Sequence, residues 1–373
     1  MTSPAAPKTS EGRGAPSLRR EFRARAHRSC VPVKAMLEVT RHCNLRCVHC
    51  YVADRDRGEL PLSRWLELVD ELADEGCFSV SLTGGEVGLR EGWLDVAAAV
   101  KRRRMILGVL TSGTAFTSAE LQRLIELRPA QVAVSLYGAT AERHDAVTRV
   151  RGSFEKSVAT LNALTAAGIS CRVGSVLMTQ TIDSFVDIAR LARDDLGCSF
   201  MFDPTVAPCD DGSCDVTGYR VEADRLREFY LNELIVSRSR EGKVAAQAAE
   251  PSRDAMGNCG AGFTTLFVEA GGDVYPCMGF PPSLGSVASA PLREVWRSEA
   301  AREHRTAMER PLNSCATCSL SAYCTTRCPR LALVEDGDMS GPSKRACELA
   351  RLTVEMREQL HGGPRYDLAS SGR

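Results

Sequence analysis

From residue 34 the chain alternates short apolar runs with longer amphipathic stretches. "KAMLEVT", "CFSVSLT", "MILGVLT", "QVAVSLY", "ISCRVGSVLM" and "SFMFDP" read as six strands. Helices are predicted between them. In "LSRWLELVDELADEG" the apolar positions Leu62, Trp65, Leu66, Leu68, Val69 and Leu72 keep helical spacing. "TSAELQRLIEL" opens on a capping box of Thr117 and Glu120. A third helix starts at Ser153, with Phe154, Val158, Leu161 and Leu164 on one face and Gly168 as its stop. Successive βα units imply a parallel α/β sheet whose right-handed crossovers put the helices on one side, hence a curled sheet or partial (β/α)6 barrel. In such sheets the chemistry gathers at the C-terminal strand ends. Past about residue 204 the alternation fails. A polar helical linker follows, then a cysteine-rich, helix-poor region built more around metal than around apolar core.

Composition narrows the picture. The 373 residues hold 47 Lys and Arg against 47 Asp and Glu, so no whole-molecule field favours nucleic acid or a membrane as partner. Residues 1–29 differ, with seven Lys and Arg against two Glu among Pro, Gly and Ser, and no apolar run that would serve as a signal peptide. No stretch approaches the ~20 apolar residues of a membrane span, which leads to the expectation of a cytoplasmic protein. The expected divisions are a disordered basic arm (1–33), the barrel (34–204), a linker and helix (205–255), the cysteine-rich domain (256–350), and a helix end with a disordered tail (351–373). The 16 cysteines exceed ordinary usage, and a reducing compartment makes metal a better account than disulfides. Ten fall into two spaced groups; Cys30, Cys77, Cys171, Cys198, Cys209 and Cys214 are scattered. Of these, Cys77, Cys171 and Cys198 lie in or beside predicted strands and read as small buried apolar residues.

The first group is "TRHCNLRCVHCY", with Cys43, Cys47 and Cys50 directly after the first strand. Three thiolates leave one position of a tetrahedral iron site or cubane open. Here the sequence resembles the radical SAM superfamily, whose three-cysteine loop holds a [4Fe–4S] cluster with its open iron chelated by S-adenosylmethionine. The resemblance continues along the strand ends. "TGGE" places Gly84, Gly85 and Glu86 where the family holds the methionine amino group, and "TSGT" places Thr111 and Ser112 where it meets the ribose. Ser135 in "SLYG" stands where a serine contacts SAM, and Arg149 in "HDAVTRVRG" matches an arginine for the SAM carboxylate. Val87 and Tyr137 depart from the common Pro and Asp, and neither departure removes a ligand.

The second group, Cys259, Cys277, Cys315, Cys318, Cys324, Cys328 and Cys347, resembles the SPASM extension of radical SAM enzymes, which carries two auxiliary iron–sulfur clusters. The resemblance implies one cluster on Cys315, Cys318, Cys324 and Cys347 and another on Cys259, Cys277 and Cys328. "LFVEAGGDVYPC" reads as a hairpin with a Gly-Gly turn feeding Cys277. Seven ligands are one short of eight, so the second of these clusters either keeps an open iron or borrows Cys209 or Cys214 from "PTVAPCDDGSC". Those two thiols read equally as inert or as a hydrogen-atom donor. The "CATCSLSAYCTTRC" segment alone would also suit zinc knuckles and a zinc-stabilised interaction protein.

The resemblance implies reductive cleavage of SAM to a 5′-deoxyadenosyl radical and hydrogen abstraction from a substrate C–H bond, with electrons from a flavodoxin or ferredoxin type donor. The expected task is oxidative crosslinking, by thioether or carbon–carbon bond, of a ribosomally made peptide. A small-molecule or sugar dehydrogenase or epimerase is the alternative. Sulfatase maturation is disfavoured, because Met278 stands where those maturases often have Asp. The residues before the first strand are too few for a leader-binding winged helix, so a separate leader-recognition protein is expected for a peptide substrate.

Overall fold

The structure is a computed structural model. It describes residues 18–52, 54–56, 58–204, 206–209, 215–231, 259–310, 315, 318–320, 324 and 328–361. Helix α1 (Leu18–Arg28) precedes all six expected strands: β1 (Lys34–Glu38), β2 (Ser79–Thr83), β3 (Ile106–Thr111), β4 (Gln131–Ser135), β5 (Cys171–Val176) and β6 (Ser199–Asp203). Each pairs in parallel with the next, Leu37 beside Leu82 and Val134 beside Val173. The crossovers carry α2 (Leu62–Asp74), α3 (Trp93–Arg102), α4 (Ser118–Leu127), α5 (Ala141–Thr148), α6 (Ser153–Ala166) and α7 (Phe185–Arg190).

Alternation decides which side of the sheet each residue takes. Leu37, Val80, Val109, Val132 and Val173 face the helices and join one core with Trp65, Leu68 and Leu72 of α2. Thr117 and Glu120 form the expected capping box of α4. Helix α6 departs from its pattern. Ser153, Ser157 and Thr160 are buried beside Leu161 and Leu164, while Phe154 and Val158 are only partly buried. The polar residues are inside because they serve the site described below.

Two expectations are corrected. First, the cysteine-rich region, expected to be helix-poor and built more around metal than around apolar core, carries several helices and continues the sheet and apolar core of the barrel. Strand β7 (Thr265–Val268) pairs in parallel with β1, and β8 (Asp273–Tyr275) and β9 (Gly285–Ser286) follow antiparallel, giving one nine-stranded sheet. Leu266, Val268, Val274, Leu284 and Trp296 accordingly share the core of the first six strands. The physical reason is that β1 would otherwise be an uncovered edge. The predicted hairpin turns at Gly272, whose φ of +99° needs glycine. Second, the basic arm is ordered from residue 18, as α1. Its last turn docks, with Ala26 buried and the His27 ring stacked on Phe263 at 4.1 Å. Trp296 Nε1 then donates to the Cys30 carbonyl at 2.7 Å. Composition hid this because one turn does the packing while Leu18 and Phe22 stay exposed. Residues 1–17 of the arm lie outside the described residues.

The linker helix begins as α8 (Ala223–Leu231), and residues 232–258 lie outside the described residues. Further on come α9 (Leu292–Trp296), α10 (Glu299–Met308), α11 (Pro329–Asp336) and α12 (Lys344–His361). The expected tail, 362–373, is outside too. Among the described residues no helix is long and apolar enough to cross a membrane.

Candidate active site

Beyond β1 the loop through Cys43, Cys47 and Cys50 is clamped at two places. Gly85 N donates to Thr40 O and Glu86 N to His42 O, both at 2.8 Å. On the other side Arg46 N donates to Thr148 O at 2.9 Å and Val48 N to Val147 O at 3.0 Å. These bonds fix why Gly84 and Gly85 must be glycine. A Cβ on Gly84 would lie 2.6 Å from Thr40 O, and one on Gly85 2.4 Å from Arg41 O. The glycines are thus needed by the root of the cysteine loop itself.

The three thiols feel one another. Burial pushes Cys47 up to about 12, and the neighbouring Cys50 and Cys43 add to the shift. Burial also raises Cys43, opposed by the Leu45 N–H at 3.4 Å and by Arg55. Crowded thiols, with Cys43 and Cys47 held up by burial, need positive charge among them to become thiolates, which iron supplies. The donor set therefore fits a cluster with one open position.

The resembling motifs converge around this loop. Glu86 is fully buried and its carboxylate is taken up at the end of β3. Thr111 Oγ1 donates to it at 2.5 Å and Ser112 N at 2.7 Å; the Ser112 hydroxyl and Gly88 N also donate. Ser112 and Thr114 hydroxyls share a hydrogen bond of 2.7 Å, and Asn44 Nδ2 reaches Thr114 at 2.9 Å. Glu86 thereby ties β2 to β3, and through them to the cysteine loop. From α6, Ser157 donates to Ser112 O at 2.6 Å and Thr160 to Gly113 O at 2.7 Å. Ser135 ends β4 and is hydrogen-bonded to the Tyr137 phenol. Arg149 is exposed, with φ of +57°, directly after the two carbonyls that hold the cysteine loop.

Aromatic and apolar groups close the other side. His49 meets the edge of Tyr137 at 4.7 Å, and Tyr137 stacks on His144 at 5.8 Å. Burial lowers both histidines to about 4, so each is neutral near pH 7. Tyr137, Val147, Met178, Val206, Cys209 and Val216 form an apolar cluster against Cys47 and Val48. Cys209 Sγ is 3.8 Å from the Cys50 carbonyl. It is disulfide-bonded, and in that state it is neither thiolate ligand nor hydrogen-atom donor. Cys214 lies outside the described residues.

In the second group two sets of thiols lie close enough to influence one another. Burial raises Cys277, and the charges of Cys259 and Cys328 raise it further. Cys347 on α12 is raised by burial and then by Cys315 and Cys318. Cys318 and Cys324 pack against Leu320, Ala350 and Val354. Among the described residues no three Cys, His, Asp or Glu side chains are arranged to hold a single metal ion.

Contacts that the sequence did not announce join the two groups. The Tyr51 hydroxyl, one residue after Cys50, donates to Met278 Sδ at 3.0 Å, one residue after Cys277. Buried Arg41 lies 3.5 Å from Glu38 and 3.7 Å from Glu269, linking the ends of β1 and β7. Within the second group, Arg330 beside Cys328 donates to Gly279 O, beside Cys277, at 2.5 Å. Asn44, Thr114, Ser157 and Thr160 were also missed. Only the polar residues on an otherwise apolar stretch of α6 offered a signal.

Comparison with known proteins agrees with this geometry. Residues 37–192 match the radical SAM superfamily and residues 259–319 the iron–sulfur cluster-binding SPASM domain. The antilisterial bacteriocin subtilosin biosynthesis protein AlbA of Bacillus subtilis is 28% identical over 308 residues, 79% of this chain and 66% of that protein. An AdoMet-dependent heme synthase of Nitratidesulfovibrio vulgaris is 26% identical over 312 residues, 77% of this chain and 84% of that one. The crystal structure of Streptococcus suis SuiB bound to precursor peptide SuiA superposes with a TM-score of 0.66 at 17% identity, covering 92% of this chain and 84% of that chain.

Proposed function

We propose, from the premise that this chain is a radical SAM enzyme with a C-terminal SPASM domain, that it oxidatively modifies a ribosomally made peptide by a thioether or carbon–carbon crosslink. One observation carries the reading: a three-cysteine loop at the strand ends shares a continuous sheet with the hairpin that leads to Cys277 of the second cysteine group. AlbA is named for bacteriocin biosynthesis and SuiB is seen with a precursor peptide, which supports a peptide as substrate.

Cys43, Cys47 and Cys50 would hold the SAM-binding cluster, which when loaded supplies reductive SAM cleavage and a hydrogen-abstracting radical. Cys259, Cys277 and Cys328 would hold one auxiliary cluster and Cys315, Cys318, Cys324 and Cys347 the other, giving two electrons removed from substrate a place to go. The chain's own part is positioning and exclusion of water. Glu86 holds Thr111 and Ser112 in line beside the cysteine loop. Ser135 at the end of β4 would contact SAM, and Arg149 just after α5 would meet its carboxylate. Neutral His49 and Tyr137 present flat apolar surface there. A flavodoxin or ferredoxin type donor and a separate leader-binding protein complete the scheme.

The heme synthase relative favours a rival, a small-molecule substrate. Anaerobic reconstitution followed by SAM, dithionite and a candidate precursor peptide separates them, run with and without any small leader-binding protein. Loss of two hydrogens from the peptide, in step with 5′-deoxyadenosine, is expected. Turnover of a small metabolite with no peptide bound at low or physiological salt overturns the peptide reading.

A further inference from the structure

The face of the sheet turned away from the helices holds one cation whose only described polar contact is a thioether. On β5 burial alternates, with Cys171 and Val173 in the helix-covered core and Arg172, Gly174 and Val176 on the opposite side. Arg172 is half-buried. Its Nε is buried without a hydrogen-bond partner, its Nη1 lies 3.7 Å from Met201 Sδ, and no ion pair reaches it among the described residues. Its surroundings are small. Ala133 is its register partner on β4 and Ser199 on β6, and a Cβ built on Gly174 would meet nothing within 4 Å. Met201 beside it is 49% exposed. The carboxylates on this face belong to other groupings: Glu38 and Glu269 flank Arg41, and Asp203 stands four residues up β6 from Ser199.

A half-buried guanidinium without a counter-ion is costly, and its planar fork is built to take a carboxylate in bidentate fashion. The space to receive one is the gap over Ala133, Gly174 and Ser199. At the upper end of the same strand face, Val176 packs against the apolar cluster that contacts Cys47. The distance between them along β5 is four residues, or about 13 Å at ~3.3 Å each.

We propose that Arg172 is a substrate-binding residue that anchors a carboxylate of the substrate, and so selects peptides with an acidic group about four residues, at roughly 3.3–3.6 Å each, from the modified position. The carboxylate is either an Asp or Glu side chain or the peptide's C-terminus. This rests on the reading of the chain as an enzyme whose substrate lies against this sheet face.

The test uses reconstituted protein with SAM and four probes: an N-acetylated, C-amidated alanine-rich tetrapeptide ending in glutamate, its glutamine counterpart, and a tetra-alanine peptide with free or amidated C-terminus. Affinities come from saturation-transfer NMR titrations. One acidic probe should bind wild type about fivefold tighter than its neutral counterpart. Which one it is identifies the source. That ratio should fall to near unity in Arg172→Gln and persist in part in Arg172→Lys. Should Arg172→Gln fail to fold, phenylglyoxal modification of wild-type Arg172, mapped by mass spectrometry, gives a second reading: the acidic probe should slow it and the neutral one should not. Equal affinities in wild type, a ratio unchanged by Arg172→Gln, or no protection would overturn the proposal. Failure of the functional reading would show separately, as absence of 5′-deoxyadenosine from wild type under dithionite.

Discussion

The two cysteine regions are built by different means. The first lies in a loop of eight residues from Cys43 to Cys50, clamped by backbone bonds to Gly85, Glu86, Val147 and Thr148 at regular strand and helix ends. The second gathers cysteines from separate elements: Cys277 after β8, Cys328 at the start of α11 and Cys347 within α12. The first can take shape before any metal arrives, because paired strands fix its ends. The second draws its lateral support from β7 pairing with β1, and its thiols come from segments far apart in sequence. Metal should therefore matter for folding in the second and mainly for chemistry in the first.

Chelating the iron from reconstituted protein should give the largest contrast. Amide exchange in Cys259–Phe280, α11 and α12 should rise by at least about tenfold, while β1 to β5 keep their protection. Equal deprotection of both regions would erase the distinction drawn here.

Next in size is Glu86→Ala. Losing a buried carboxylate that accepts from Thr111, Ser112 and Gly88 strands those donors and should cost about 2–4 kcal/mol in denaturant melts of the iron-loaded protein, together with weaker SAM binding. A change below about 1 kcal/mol would mean that the β2 to β3 tie is not needed.

The smallest effect is in pH. His144 is buried, accepts from Tyr137 N at 3.2 Å through Nδ1, and has its pKa lowered to about 4 from 6.5. The unfolded chain thus binds a proton below pH 6.5 that the folded chain refuses until about pH 4, so this contribution is complete above 6.5 and is lost as pH falls. Between pH 6.5 and 5.0 the loss should be about 2 kcal/mol, and His144→Asn should remove that share of the acid limb while the like share of His49 remains. Parallel profiles in the two proteins would show that His144 does not carry it.

Much of this was legible in the sequence, and for a physical reason. Six strands, the capping box at Thr117 and the Gly272 turn follow from local periodicity and from conformations that few residues tolerate. The cysteine loop stood out because three thiols lie close in sequence directly after a strand. What escaped depends on contacts between distant segments. The pairing of β7 with β1 unites residues more than 220 positions apart in register, as Lys34 with Thr265, and no periodicity records it. The docked turn of α1 looked like a solvated basic arm because its packing runs through Ala26 and His27, two residues that carry no apolar pattern. Tyr51 and Met278 each looked incidental beside a cysteine, and their meeting is visible only in three dimensions.

The central claim is that Cys43, Cys47 and Cys50 alone make the centre that cleaves SAM. The direct measurement is 5′-deoxyadenosine released under dithionite by anaerobically reconstituted wild type, by the protein with all three changed to Ala, and by Cys277→Ala. Release by wild type, none above background from the triple variant, and partial release uncoupled from product in Cys277→Ala is the predicted result. Release by the triple variant at a rate comparable with wild type would contradict the account.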